Sequence, residues 1–333
     1  MKGRPFAVVL AASFLTFLGA PESGAQTIRV MTFNAWGGGS NDGTGPAQTL
    51  AAIRAADADL VGLQEVRAEG SQCSAEDCPA EGPSFASVAA RVLGYHLVEQ
   101  SGDADLVWAQ AILSRYPPVA TSSNGVGASF DIADRRVAIF NVHFTDYPYQ
   151  PYQAVGIPYD EALFLSTPAE LIQAAVGARG DALGLLRTEL DFAADAGLIL
   201  VTGDFNEPSH RDWSEAAARA GRHPLAVEYP TILALEELGF VDAYRAVHGN
   251  EMTHPGYTWT PTRPLDDSAE HHDRIDFVLL RSAGAGARVT GAWVVGESAE
   301  QADIVVQPWP SDHRAVVAEI TLGEKGGVIR SRE

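Results

Sequence analysis

The sequence predicts one α/β domain spanning about residues 27 to 322. Three observations carry that expectation. Short apolar runs alternate with helix-spaced segments, and no composition break divides the chain. Hydrophobic residues make up 46% of the 333, enough for a sizeable core. No internal repeat or low-complexity tract interrupts the pattern.

Residues 1–25 stand apart as a signal peptide. Lys2 and Arg4 precede FAVVLAASFLTFLGA, which is short for a membrane span. Ser23, Gly24 and Ala25 then place small residues before a cleavage point. The mature chain is therefore expected to be secreted or periplasmic, without a transmembrane span. An uncleaved anchor is the alternative reading. Cys73 and Cys78 are the only cysteines, and an even count in an exported chain favours a disulfide pinning a local turn. A pair of chelating thiols is the other option, but no further ligand nearby completes a zinc set.

Along the domain, TIRVMTFNAW reads as a strand entering a glycine-rich loop, and PAQTLAAIRAADA as a helix. DLVGLQEV is a short strand. SFASVAARVLG suits a helix closed by Gly94. AQAILSR and RRVAIFNVHF are strands, followed by a Pro- and Tyr-rich stretch. PAELIQAAVGARGDALGLLRTELDFAADAG is mostly helical. LILVTGD, RIDFVLL and RAVVAEITL complete the strands, and residues 323–333 read as a solvated tail.

These strands share a habit: an apolar run ends in a polar functional group. The residues are Asn34, Glu65, His143, the Asp204/Asn206 pair, and Asp276, which is set inside its run. Asp312 and His313 stand just before the last strand. A buried carboxylate or amide without partners costs several kcal/mol. Any one of these residues alone would pass as a loop cap. Together they suggest convergence on one cleft. Glu65 is a hard oxygen donor suited to Mg²⁺ or Mn²⁺. The asparagines can ligate a metal or donate to a phosphate oxygen, and the histidines can donate or move protons.

Formal net charge is −20. Such a surface repels phosphate backbones at long range, so a phosphate-bearing substrate needs local compensation. A bound metal ion is the simplest source. The chain carries no serine nucleophile elbow, Walker loop, HExxH motif or catalytic cysteine pattern.

The blocks MTFNAW, LVGLQEV, FNVHF, VTGDFNEP, DRIDFVLL and PSDHRAV, in that order, resemble the endonuclease/exonuclease/phosphatase superfamily, the deoxyribonuclease I-like fold. The resemblance extends from residue 30 to about 320. It implies a four-layer α/β/β/α sandwich and divalent-metal-dependent phosphoester hydrolysis, with Mg²⁺ or Mn²⁺ as cofactor. It implies a metal site at Glu65, Asn34 and Asp312. His143 would hydrogen-bond the scissile phosphate. Asp204 and Asn206 would position the attacking water and the phosphoryl group. His313 would be the second catalytic histidine, oriented by Asp276. The family's usual Glu or Tyr near AILSR has no clear counterpart; Trp108 and Gln110 stand in that neighbourhood without an assigned role.

The substrate is less legible. TDYPYQPYQAVGIPYDEALF starts where the strand delivers His143, so Tyr147, Tyr149, Tyr152 and Tyr159 are candidates to line the cleft or to cover the core. His271, His272 and Asp273 offer a hydrogen-bond network, an extra metal contact, or neither. Tyr257 and Trp259 suit the core first and a cleft wall second. A small or lipid-linked phosphodiester fits an acidic exported enzyme. A secreted nuclease acting on DNA or RNA is the alternative, although no Lys/Arg run marks a polynucleotide groove. A non-catalytic binding module is the lowest-ranked option. The apolar hairpin that sphingomyelin cleavage would want is not evident. The chain is expected to act as a monomer on a phosphoester partner.

Overall fold

The computed structural model describes residues 26–41, 43–67, 84–100, 106, 109–283 and 286–323. The signal segment, Cys73, Cys78, Trp108 and the tail beyond Gly323 lie outside the described residues.

The chain begins with β1 (Gln26–Asn34), α1 (Pro46–Ala56), β2 (Leu60–Gln64), α2 (Phe85–Leu93), β3 (His96–Gln100) and β4 (Gln110–Ser114). It continues through β5 (Pro118–Thr121), β6 (Gly127–Ile132), β7 (Arg135–His143), α3 (Gln150–Val155), α4 (Pro168–Glu189) and β8 (Leu198–Asp204). Next come α5 (Glu215–Arg219), α6 (Pro230–Glu237), β9 (Val241–Asp242), α7 (Ala243–Val247) and β10 (Asp276–Ser282). The last strands are β11 (Ala287–Gly296), β12 (Ile304–Val305) and β13 (Ala315–Leu322).

Two sheets form. One has the order β12-β11-β13-β1-β2-β4-β3, the other β5-β6-β7-β8-β10-β9. Strand alternation sorts their side chains into three apolar layers. Leu198 and Leu200 of β8 face Val30 and Leu60 of the opposite sheet. Ile199 and Val201, one residue out of step, pack under α4 and α6 with Leu186 and Leu235. Phe33 and Leu63 of the first sheet turn outward to Ile53 of α1 and Phe85 of α2. Helix, sheet, sheet and helix thus stack as the expected four-layer sandwich.

The helices carry local reasons for their ends. Ser84 caps α2 by accepting from Ser87 N, and Gly94 closes it at φ 72°. Thr167 and Glu170 form a capping box at α4. No helix among the described residues is long and apolar enough to cross a membrane.

The same alternation places the polar strand ends. Ile28, Val30 and Asn34 share the inter-sheet face of β1, as do Val137, Ile139 and His143 on β7. Leu198, Leu200 and Asp204 do so on β8. Asp276 opens β10, rather than lying inside it. Because β10 runs antiparallel to β8, Asp276 pairs in register with Asp204. Likewise β13 runs antiparallel to β1, so the residues preceding β13 arrive beside Asn34. One end of the sandwich therefore collects all the polar termini.

Glycine allows the sheets and strands to close there. A Cβ on Gly62 would collide with Thr202 Oγ1 and Asn141 Oδ1 of the facing sheet. One on Gly203 would collide with the carbonyl of Val142 in the neighbouring strand.

Candidate active site

Asp204 is the hub of the cleft. It is buried, and its Oδ1 accepts from the backbone N–H of Asn206 at 2.8 Å. Its Oδ2 accepts from Asn34 Nδ2 at 3.1 Å and stands 3.5 Å from both His143 Nε2 and His313 Nε2. One carboxylate oxygen thus meets three groups from three strand ends.

Asn206 lies beyond the end of β8 with left-handed backbone, φ 47°. That conformation costs a non-glycine residue energy and clusters at functional sites. It returns the side chain to the cleft after Phe205 has turned away to stack on Phe144, centroids 5.1 Å apart. Asn206 Nδ2 donates to the Phe144 carbonyl at 2.9 Å and stands 3.2 Å from His143 Nε2. Glu65, just past β2, is also left-handed at φ 51°. Its Oε1 accepts from Asn34 Nδ2 at 2.7 Å and lies 3.9 Å from His143 Nε2.

His313 is fixed from two sides. Its Nδ1 lies 2.9 Å from Asp276 Oδ2, and its ring packs against Trp259 with centroids 5.0 Å apart. Burial opposes a charge on the ring, but the Asp276 and Asp204 carboxylates outweigh it and hold its pKa well above the ordinary value. Burial pushes the Asp276 carboxyl up, and the neighbouring Asp204 adds to that while His313 opposes it. Asp312 is pushed up to about 7, first by burial and also by Glu65 and Asp204, against the opposing pull of His313.

The donor set fits a divalent cation. Glu65 Oε2 is buried and has no hydrogen-bond partner among the described residues. Asp312 sits in the negative field of Glu65 and Asp204. Oxygen donors with uncompensated negative charge suit a hard cation. Asn34 occupies a different position from a free ligand. Its Oδ1 accepts from Trp36 N at 3.1 Å, and its amide nitrogen spans Glu65 and Asp204.

A model described as the Endonuclease/Exonuclease/phosphatase family matches residues 31–313. The chain belongs to that family. This makes it a metal-dependent phosphoric ester hydrolase of the phosphodiesterase and nuclease type. An uncharacterised protein of Caenorhabditis elegans is 26% identical over 320 residues, covering 90% of this chain and 93% of the relative. Two D. rerio TDP2 structures share the fold. One is humanized by 14 mutations and is 16% identical, with a TM-score of 0.50; it covers 89% of this chain and 99% of its own. The other holds a single-strand DNA product and is 14% identical, with a TM-score of 0.51 and the same coverage.

Around this endonuclease/exonuclease/phosphatase site, the tyrosines divide. Tyr149 is buried, and its hydroxyl donates to Asp273 Oδ2 at 2.9 Å. Tyr152 donates to Glu270, and its oxygen accepts from Trp259 Nε1 at 3.2 Å. These two brace the cleft wall. Tyr159 packs edge-on against Tyr147, which keeps an exposed ring. His272 accepts from Thr260 N at 3.3 Å and meets the Pro264 carbonyl, so it anchors a turn. Gln110 is buried between the sheets, donating to the Leu106 carbonyl.

Several supporting residues were not singled out by the sequence. Ser311 Oγ donates to the Asn34 carbonyl at 2.7 Å and accepts from His313 N at 3.0 Å, tying the two strand ends together. Thr258 Oγ1 accepts from the N–H groups of Ile275 and Asp276. Arg179 of α4, buried, donates to the Asn206 carbonyl at 2.5 Å. Leu163 and Phe164 are exposed in the loop between α3 and α4.

Proposed function

We propose that the protein hydrolyses a small or lipid-linked phosphodiester by in-line attack of water on phosphorus. The observation that carries this reading is the rim after His143. Four residues of chain span at most about 14 Å, so Tyr147 stays within that distance of His143. Beside Tyr147 lies a pocket of about 360 Å³, lined by Pro148, Gln153, Leu163, Leu165 and Glu170 among others. Leu163 is 76% and Phe164 59% exposed. An apolar rim within reach of the phosphate station along this short segment suits a substrate with an apolar leaving group.

Charge supports the same choice. The two lysines are Lys2 and Lys325, so the described residues contain none. Arg179, Arg245, Arg274 and Arg314 are buried in ion pairs. The exposed Arg54, Arg91, Arg187 and Arg288 sit in the last turns of α1, α2 and α4 and at the start of β11 rather than at the polar strand ends. A polynucleotide groove needs basic groups free to meet phosphates.

In this reading Asp204 Oδ2 holds the water and takes its proton. His313, kept charged by Asp276, donates to a phosphoryl oxygen, and His143 and Asn206 face the same group. Glu65 and Asp312 would hold Mg²⁺ or Mn²⁺, with Asn34 fixing the other oxygen of Glu65. When bound, such an ion would offset the charge that develops on the phosphoryl oxygens. Export through residues 1–25 belongs to the same proposal.

The test is a substrate panel with the mature chain: bis-p-nitrophenyl phosphate, sphingomyelin vesicles, plasmid DNA and a phosphomonoester, each with Mg²⁺, Mn²⁺ or EDTA. Metal-dependent release from the small or lipid diester, well above plasmid nicking, is expected. Preferential DNA cleavage would overturn the substrate assignment.

A further inference from the structure

The cleft wall contains a second cluster of ligand-type groups, separate from the phosphate station. His223 Nδ1 lies 3.0 Å from His271 Nε2, and His271 Nε2 lies 4.0 Å from Asp273 Oδ2. One ligand atom from each of the three residues lies within 4.8 Å of the other two. His223 follows α5, whereas His271 and Asp273 precede β10, so the fold brings them together from distant parts of the chain.

Asp273 is 2% exposed. Its Oδ1 accepts from Trp213 Nε1 at 2.8 Å and its Oδ2 from the Tyr149 hydroxyl at 2.9 Å. Neither donor brings charge. Among the described residues its ion-pair contact is His271, at 4.0 Å. A buried carboxylate without a full counter-charge is costly. Nearby Arg222 is turned to the carbonyls of Glu251 and Met252. Two imidazole nitrogens and an oriented carboxylate therefore face one point.

We propose that His223 Nδ1, His271 Nε2 and Asp273 Oδ2 form a second cation site, taking a borderline divalent ion such as Zn²⁺. Two imidazoles and one carboxylate favour such an ion over Mg²⁺. Bonds of about 2.0–2.1 Å in a tetrahedron place ligand atoms about 3.4 Å apart. The histidine pair is already near that spacing, and a small turn of the half-buried His271 ring closes the gap to Asp273. The ring that donates in the histidine pair shifts to its other tautomer, and water takes the fourth position.

The surroundings match those of a metal ligand set. Trp213 Nε1 and the Tyr149 hydroxyl orient the carboxylate, as outer hydrogen bonds do around bound metals. Trp213 also stacks on the His223 ring, centroids 4.3 Å apart and planes 15° off parallel. Trp259 pairs by backbone with Asp273 and with His313. An ion here braces the wall that His313 leans on.

The test uses Co²⁺ as the probe, with the full chain in excess Mg²⁺. The wild type is expected to retain one equivalent after gel filtration, with the visible bands of four-coordinate Co²⁺. His223→Gln and His271→Gln each lose it, while Glu65→Gln in the phosphate station keeps it. Zn²⁺ raises the thermal midpoint of the wild type but not of His271→Gln. Should His223→Gln fail to fold, His271→Gln at its half-buried position carries the comparison. The proposal fails if the wild type retains no Co²⁺ over Mg²⁺, if His271→Gln keeps the bands, or if Glu65→Gln alone removes them.

Discussion

His313 Nδ1 lies 2.9 Å from Asp276 Oδ2, and both side chains are buried at the junction of the two sheets. Burial alone would discharge the ring. The carboxylates of Asp276 and Asp204 reverse that and raise its pKa well above 6.5. The alkaline limb of kcat/KM is therefore expected well above pH 6.5. Asp276→Asn should move it down toward that value and lower kcat. The stabilising effect of the charged ring is fully present below about pH 6.5. It is lost as pH rises through the raised pKa. Thermal midpoints should thus fall toward alkaline pH in the wild type and less in His313→Gln. Coincident limbs for the wild type and Asp276→Asn would refute the coupling.

Asp204 and His313 should each be essential to turnover. Replacing either by Ala is expected to lower kcat on bis-p-nitrophenyl phosphate by at least about a hundredfold, the lower end for general acid–base groups. Circular dichroism of each variant separates this from unfolding. Near-normal turnover by either folded variant would sink the role assignment.

The difference between what the sequence disclosed and what it hid has a physical basis. Asn34, Glu65, His143, Asp204 and Asp276 were visible because each interrupts an apolar run, and strand alternation points several of them toward the same face. The layers followed from the family resemblance. Strands such as β3 and β11 were not read. β3 carries alternating exposed positions, and β11 is interrupted by Gly291 at a register shift. Asn141 and Gln64 escaped notice for a different reason. They hydrogen-bond to each other across the two sheets at 2.6 Å, and pairing between distant strands leaves no local pattern. Ser311 and Thr258 act through backbone groups of other segments, which spacing along the chain does not reveal.

Metal affinity should depend on pH through Asp312. Burial first, then the field of Glu65, pushes its carboxyl up to about 7, despite the opposing pull of His313. Ligation requires the ionised form, so affinity should weaken as pH falls below about 7. Titration of Mn²⁺ by calorimetry at pH 6 and pH 8 measures the effect. Asp312→Asn should bind more weakly at pH 8 and show a flatter dependence. EDTA should abolish hydrolysis by the wild type, with Mn²⁺ or Mg²⁺ restoring it. An equal pH slope in Asp312→Asn would assign the proton to another group.

Arg179 should govern Asn206 without touching the substrate. Its guanidinium is 1% exposed, donates to the Asn206 carbonyl at 2.5 Å and lies 3.8 Å from Glu207. That grip helps hold the left-handed backbone that sends the Asn206 amide back toward His143. Arg179→Met leaves Glu207 buried without its cation, so urea unfolding should show a loss of about 3–5 kcal/mol. Arg179→Met/Glu207→Gln removes the stranded charge and should recover most of that stability. Because the carbonyl of Asn206 still lacks its partner, kcat should stay depressed in the double variant. Recovery of both together would mean that Arg179 serves only to neutralise Glu207.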